Sequence, residues 1–330
     1  MNIRTFVMLA AGLLAAGCVS RTGKTAGPAA VESDGLRAFP TVQVPGVYGS
    51  GSGREAYFIE HFWDAFFDGA EGLQCDSVTV CGVAGKEFEE AFSAYVLLLE
   101  TQDIDLGKHC IDVLFNKVEA CQKADTLSNA YSVFSYMMDH YLYDPNSPVR
   151  DEDLYQSYVY RLANSSLTDP DLVPAYAMDA ILCARNAVKT KASDFTFKDA
   201  AGRSHRLYDI DADYILLFFS NPDCKACQDI TGTFKGLPAL NRMVTAGRLA
   251  VVSIYIDDDL AAWRRSLSEY PKSWYVGYDA SKAIRGDLVY NIRGIPSLYV
   301  LDSDKLVVMK DAPEERVFSY LESISKDYIN

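Results

Sequence analysis

Tyr214-Ile-Leu-Leu-Phe-Phe219, Ser220-Asn-Pro-Asp223 and Cys224-Lys-Ala-Cys227 follow one another without interruption. The first piece is nearly all apolar, as expected of a central strand buried on both faces. The second holds turn formers. The third opens a helix expected to run to about Lys235. A C-x-x-C that closes a buried strand and starts a helix is the layout for thiol–disulfide exchange.

Working outward, Asp194-Phe-Thr-Phe197 alternates like a strand, and Asp199-Ala-Ala-Gly202 reads as a turn before Arg203–Leu207. Leu249-Ala-Val-Val-Ser-Ile-Tyr-Ile256 reads as a second buried strand, and Asp257-Asp-Asp259 as the cap of a helix containing Trp263. Ser297–Leu301 and Leu306–Met309 are expected to form a hairpin about Asp302-Ser-Asp304, and Pro313–Asp327 a closing helix. The expected order is β-β-β-α-β-α-β-β-α over residues 191–330, an α/β domain.

Residues 54–190 read as an all-α domain of roughly six helices. Tyr57-Phe58, Phe62-Trp63 and Phe66-Phe67 recur at helical spacing, and similar stripes fall at Phe88–Leu99, Ile111–Val118, Tyr131–Met138, Leu154–Leu162 and Val173–Val188. Breaks are expected at Gly69–Gly85, near Gly107 and at Asp144-Pro-Asn-Ser-Pro148, with Asp171 and Pro174 as cap and first-turn signals of the last helix. Residues 19–53 lack periodicity and end in Gly49-Ser-Gly-Ser-Gly53, the composition of a flexible tether.

The N-terminus reads as a targeting segment. Asn2 and Arg4 precede the apolar run Phe6–Gly17, and Leu14-Ala-Ala-Gly-Cys18 resembles a bacterial lipobox. That resemblance implies processing of residues 1–18, with Cys18 as the lipid-bearing residue. It further implies a lipid-anchored protein of the cell envelope. Val19-Ser20, with no Asp beside Cys18, points to the outer membrane facing the periplasm, with surface exposure as the alternative. Membrane contact is expected through the anchor alone.

The 330 residues carry a formal charge of −14, which argues against nucleic acid and anionic lipid as partners. Of the eight cysteines, Cys18, Cys224 and Cys227 have expected roles. Cys75, Cys81, Cys110, Cys121 and Cys183 remain, an odd number in a compartment that permits disulfides. Cys75 and Cys81 lie close enough in sequence to bridge. Cys110 and Cys121, about 16 Å apart on one expected helix, do not. No chemistry is assigned to these five.

From about Ala192 onward the chain resembles thioredoxin-like proteins of the TlpA/ResA type. Asp194-Phe-Thr-Phe197, Leu216-Leu-Phe-Phe219, Cys224-Lys-Ala-Cys227 and Arg293-Gly-Ile-Pro-Ser297 carry the resemblance. It implies a thioredoxin-like fold, a redox-active disulfide Cys224–Cys227, and a cis-proline, Pro296, facing it. Phe58-Ile-Glu-His-Phe-Trp-Asp64, Tyr141-Leu-Tyr-Asp-Pro-Asn-Ser-Pro148 and Glu152-Asp-Leu-Tyr155 resemble a helical domain of unknown function. That domain precedes thioredoxin-like domains in lipoproteins of Gram-negative bacteria, which implies architecture and no activity. Two positions depart from the pattern. Asp223 replaces the tryptophan before the first cysteine, and Phe218 stands where the buried acid would align.

Cys224 is expected as nucleophile, favoured as thiolate by the helix N-terminus and by Lys225 and opposed by Asp223. The expected outcome is a modestly lowered pKa and a reducing pair. Cys227 resolves the mixed disulfide. Ile295 offers its backbone to a protein substrate as an added strand. The partners are protein thiols or disulfides and an upstream electron donor; no cofactor is called for. A zinc site lacks a second C-x-x-C. A copper site lacks a histidine after the motif, since the four are His61, His109, His140 and His205. A thiol peroxidase would want Thr or Ser where Asn221 stands. The remaining alternative is a non-catalytic lipoprotein whose helical domain binds a protein or glycan, with the C-terminal part as scaffold.

Overall fold

The structure is a computed structural model and describes residues 36–326. The lipobox, Cys18 and residues 19–35 of the expected tether lie outside the described residues. Contacts divide the described residues into two compact units: residues 36–102 with 113–137, and residues 103–112 with 138–326. This line differs from the composition break at Lys191, because residues 138–190 pack with the sheet.

In the first unit, Ser52–Glu60 (α1) and Asp64–Phe67 (α2) are separate helices, broken at His61. Thr79–Val80 (β1) and Val83–Ala84 (β2) form a small antiparallel hairpin inside the stretch expected to be only a break. Gly85–Glu100 (α3) follows. Ile104–Ala124 (α4) and Ala130–Met138 (α5) span both units. The core is aromatic: Trp63 lies 4.9 Å from Phe134 and 5.5 Å from Tyr95 between ring centroids. Phe39, read from composition as tether, packs edge-on to Trp63 at 5.5 Å. Burial of apolar rings outweighs the local preference of a Gly- and Pro-rich stretch for disorder.

The break expected near Gly107 is not there. Gly107 sits inside α4, where a Cβ would meet Leu154 Cδ2 at 2.7 Å; the glycine serves close helix packing. After α5 a π-helical turn, Asp139–Tyr143, leads to Glu152–Asn164 (α6) and Val173–Cys183 (α7). Asp151 caps α6 by accepting from Leu154 N at 3.0 Å. Asp171 does not cap α7: Leu172 occupies the cap position without a side-chain bond, and Asp169 Oδ1 accepts from Asp171 N.

The sheet comprises Thr196–Asp199 (β3), Ser204–Arg206 (β4), Tyr214–Ser220 (β5), Leu249–Tyr255 (β6), Tyr275–Tyr278 (β7), Ser297–Asp302 (β8) and Val307–Met309 (β9), in the order β4-β3-β7-β6-β5-β8-β9. β5 is central, parallel to β6 and antiparallel to β8. Successive side chains point to opposite faces. Ile215, Leu217 and Phe219 enter one core with Phe195, Tyr290 and Tyr299. Leu216 and Phe218 enter the other with Cys227, Ile230 and Phe234. That is why β5 is apolar throughout. Lys225–Lys235 (α8), Pro238–Thr245 (α9), Leu260–Ser266 (α10) and Glu314–Ser325 (α11) are the helices of this part. α9 and β7 were not expected. β7 contains Gly277, whose Cβ would lie 2.4 Å from Phe197 Cδ2, so glycine permits the pairing with β3.

Candidate active site

The polypeptide leaves β5 at Ser220 and turns through Asn221-Pro222-Asp223. Asn221 Oδ1 accepts from Asp223 N at 3.1 Å, and Asn221 O accepts from Cys224 N at 3.1 Å. Gln228 Nε2 donates to Pro222 O at 2.8 Å, tying the loop to the helix that follows. Asn221 Nδ2 also donates to Asp257 Oδ2. α8 buries Cys227, Ile230, Thr231 and Phe234, a stripe at i, i+3, i+4 and i+7. This stripe fixes the rotation of the helix, and with it the orientation of the two cysteines.

Cys224 is the N-cap of α8, and its Sγ accepts from Cys227 N at 3.1 Å. An anion at this atom meets an otherwise unpaired helix N–H and the positive end of the helix dipole. Cys224 is half-buried and Cys227 buried, both as free thiols. Burial pushes the Cys227 thiol up, and contact with Cys224 adds to this. Lys225, expected to act on Cys224, is exposed and ion-paired with Asp229 one turn further on. Asp223 is exposed, its amide held by Asn221.

The Ile295–Pro296 peptide is cis. Ile295 O lies 3.8 Å from Cys224 Sγ, at the limit for a thiol donor. Thus Cys224, Cys227, Ile295 and Pro296, separated by some seventy positions in the sequence, form one site within one unit.

Sequence reasoning missed the base of this loop. Arg293 is sandwiched: its Cζ lies 4.2 Å from the Tyr143 ring centroid, its Nη2 donates to Asp311 Oδ2 at 2.9 Å, and its Nε is 3.7 Å from Glu152 Oε1. Asn291 donates to the same Glu152 oxygen. Lys310 Nζ lies 3.1 Å from Glu152 Oε2 and donates to Cys183 O. Burial pushes the Glu152 carboxyl up, against the pull of Lys310 and Arg293. A Cβ on Gly294 would meet Pro145 at 3.1 Å. The stretch Tyr141–Pro148, read as architecture alone, therefore lies against the loop that presents Pro296.

No carboxylate stands at Phe218, which is fully buried. Hydroxyls lie on that face. Ser220 Oγ is 2.8 Å from Ser253 Oγ and 3.4 Å from Tyr270 OH. Tyr270 and Cys227 line a cavity of about 240 Å³, with Thr231 and exposed Glu269 among its other walls.

A family model described as thioredoxin-like matches residues 211–307, the segment that holds Cys224, Cys227 and Pro296. The C-terminal part of this chain thus matches the thioredoxin-like family in sequence. Residues 17–176 match a domain of unknown function, DUF5106. A solved thioredoxin-like protein from Bacteroides caccae is 29% identical, with a TM-score of 0.74, over 87% of this chain and 98% of its own. The C-terminal domain of an uncharacterized protein from Bacteroides fragilis is 39% identical over 42% of this chain and 99% of its own, with a TM-score of 0.41. A search of curated proteins found no match. The thioredoxin-like α/β domain, and the largely helical region ahead of it, thus agree with the expectation from sequence.

Proposed function

We propose that this protein is a thiol–disulfide oxidoreductase that reduces or exchanges disulfides in proteins through Cys224 and Cys227. The observation that carries this reading is the position of Cys224 Sγ. It caps α8, accepts from Cys227 N at 3.1 Å, and faces the cis-proline loop at 3.8 Å from Ile295 O. The family match supports it.

In the proposed cycle the Cys224 thiolate attacks one sulfur of a substrate disulfide. A Cys224–substrate bond forms and the first substrate thiolate leaves. Cys227 then loses its proton and attacks Cys224, forming Cys224–Cys227 and expelling the second thiolate. Two electrons pass from the dithiol to the substrate. An upstream dithiol donor restores the pair. The cavity beside Cys227 offers a path for its proton, in place of the acid that Phe218 displaces. Ile295 binds the extended substrate backbone beside the Pro296 loop, where Ile295 O is already turned to the nucleophile.

The lipobox reading places this activity in the cell envelope, anchored through Cys18 at the outer membrane and facing the periplasm. Radiolabelled palmitate incorporation that survives Cys18→Ser would sink the anchor. Cys224→Ser is expected to abolish reduction of insulin disulfides, and Cys227→Ser to accumulate mixed disulfides. Unchanged turnover by Cys224→Ser would overturn the mechanism.

A further inference from the structure

β1 and β2 pair with Val80 opposite Val83, so Cys81-Gly82 is the whole turn between them. Both turn residues have positive φ, 45° at Cys81 and 77° at Gly82. Turns of this kind favour Asn, Asp or Gly at the first position. A cysteine stands here instead, and it is fully buried. Its Sγ lies 4.0 Å from Cys121 Sγ, which α4 supplies. Ser128 Oγ touches both, at 3.9 Å from Cys81 Sγ and 3.6 Å from Cys121 Sγ. Arg37 Nε donates to Cys81 O at 2.9 Å, and its cation acts on both sulfurs and on Cys75.

We propose that Cys81 and Cys121 form a second dithiol–disulfide site, independent of Cys224 and Cys227, that closes on exchange with a disulfide-bearing oxidant. The two sulfurs are already neighbours and need to approach by about 2 Å to bond. Their environments also differ in the sense the reaction requires. Contact with Cys81 Sγ, helped by Ser128 and Arg37, pulls the Cys121 thiol down against burial and Asp125. The same contact, together with burial, pushes the Cys81 thiol up. Cys121 is half-buried and Cys81 enclosed. Cys121 is therefore the attacking sulfur and Cys81 the resolving one.

The step balances with a disulfide R–S–S–R as oxidant. Cys121 thiolate attacks one sulfur, forming Cys121–S–S–R and expelling RS⁻. Cys81 gives up its proton and attacks the Cys121 sulfur, forming Cys81–S–S–Cys121 and expelling the second RS⁻. The two thiol protons end on two RSH, and the pair is oxidised by two electrons.

The test treats the full reduced chain with oxidised glutathione, blocks free thiols with an alkylating agent, and maps linkages by mass spectrometry. Cleavage at Asp76 separates Cys75 from Cys81. The expected result is a peptide containing Cys81 linked to one containing Cys121, with both thiols lost to alkylation and recovered by dithiothreitol. Cys75→Ser should leave that link intact. Cys121→Ser should remove it without changing closure of Cys224–Cys227. The site is refuted by persistent alkylation of Cys81 and Cys121 after the Cys224–Cys227 pair has closed. A Cys75–Cys81 link refutes it equally, as does a glutathione adduct on Cys121 that never resolves. Linkage in the unsubstituted chain is the deciding readout, so a variant that fails to fold does not obscure it.

Discussion

Lys310→Met removes one charge from a cluster with almost no access to water. Lys310 and Glu152 side chains are 1% and 0% exposed and lie 3.1 Å apart. At an effective dielectric of about 20, their attraction is about 5 kcal/mol. Part of this is offset, because methionine needs no desolvation and the loss of Lys310 relieves its repulsion of Arg293. Glu152 keeps Arg293 at 3.7 Å and the bond from Asn291. Cys183 O loses its Lys310 donor, worth about 1 kcal/mol. We expect a net loss of about 3 kcal/mol near pH 7, the lower end for breaking a buried pair. The pH dependence has a definite sign. Burial already raises the Glu152 carboxyl above 4.5, its ordinary value, and loss of Lys310 raises it further. A carboxyl raised in the folded state favours folding when protonated, and that advantage is lost as pH rises through its folded value. The defect should therefore be largest near neutrality and shrink towards about pH 5. Urea unfolding at the two pH values measures both. Glu152→Gln combined with Lys310→Met should return to within about 1 kcal/mol of the parent. A Lys310→Met loss below about 1 kcal/mol, or an identical loss at both pH values, would refute the reasoning.

Gly277→Ala places a methyl 2.4 Å from Phe197 Cδ2 and 2.8 Å from Lys198 O; we expect a loss of about 1–3 kcal/mol in urea unfolding, and a loss under about 0.5 kcal/mol contradicts the close approach of β7 to β3. Asp259 Oδ1 accepts from Ala261 N at 3.0 Å and Ala262 N at 2.9 Å; Asp259→Ala should lower stability by about 1 kcal/mol and Asp259→Asn by much less, and equal losses count against the cap. Closing Cys81–Cys121 links residues 40 apart in sequence; the oxidised first unit should gain about 4 kcal/mol against unfolding, read as a rise in urea midpoint on oxidation that Cys121→Ser abolishes.

What was legible in the sequence is what short segments encode by themselves. β5 announces burial on both faces because nearly every residue is apolar, and Cys224–Cys227 follow it at a turn whose residues have few other uses. Asp257–Asp259 announces a cap, and Asp259 supplies it. β7 was not legible, since Tyr275-Val-Gly-Tyr278 is short and its glycine weakens any strand signal; its partners β3 and β6 define it. Glu152 stands in a helix's first turn and carries no local sign of burial. Only the distant Lys310, Arg293 and Asn291 make it a buried anion. Cys81 and Cys121 lie in elements that sequence treats separately, so their approach had no local signature. Cys75–Cys81, the pairing suggested by proximity in sequence, is not the one brought to contact distance.

The cluster around Arg293 bears on what residues 138–190 do. Arg293 precedes Gly294-Ile295-Pro296, so its position sets where that loop begins. Within residues 191–326 it meets Asp311 at 2.9 Å. Its remaining contacts with charge and aromatic surface, Glu152 and Tyr143, come from the helical segment. Arg150 adds a bond to Asp311 O at 2.9 Å, so the anion that holds Arg293 is itself held from the same segment. Without those residues Lys310, Arg293 and Asp311 would be a net positive group in an apolar surround, and would seek water at the base of the proline loop. Residues 138–190 thus supply Glu152, the second anion beneath Pro296, and helical and sheet-bearing parts of this unit are one construction at the point where the proposed chemistry occurs.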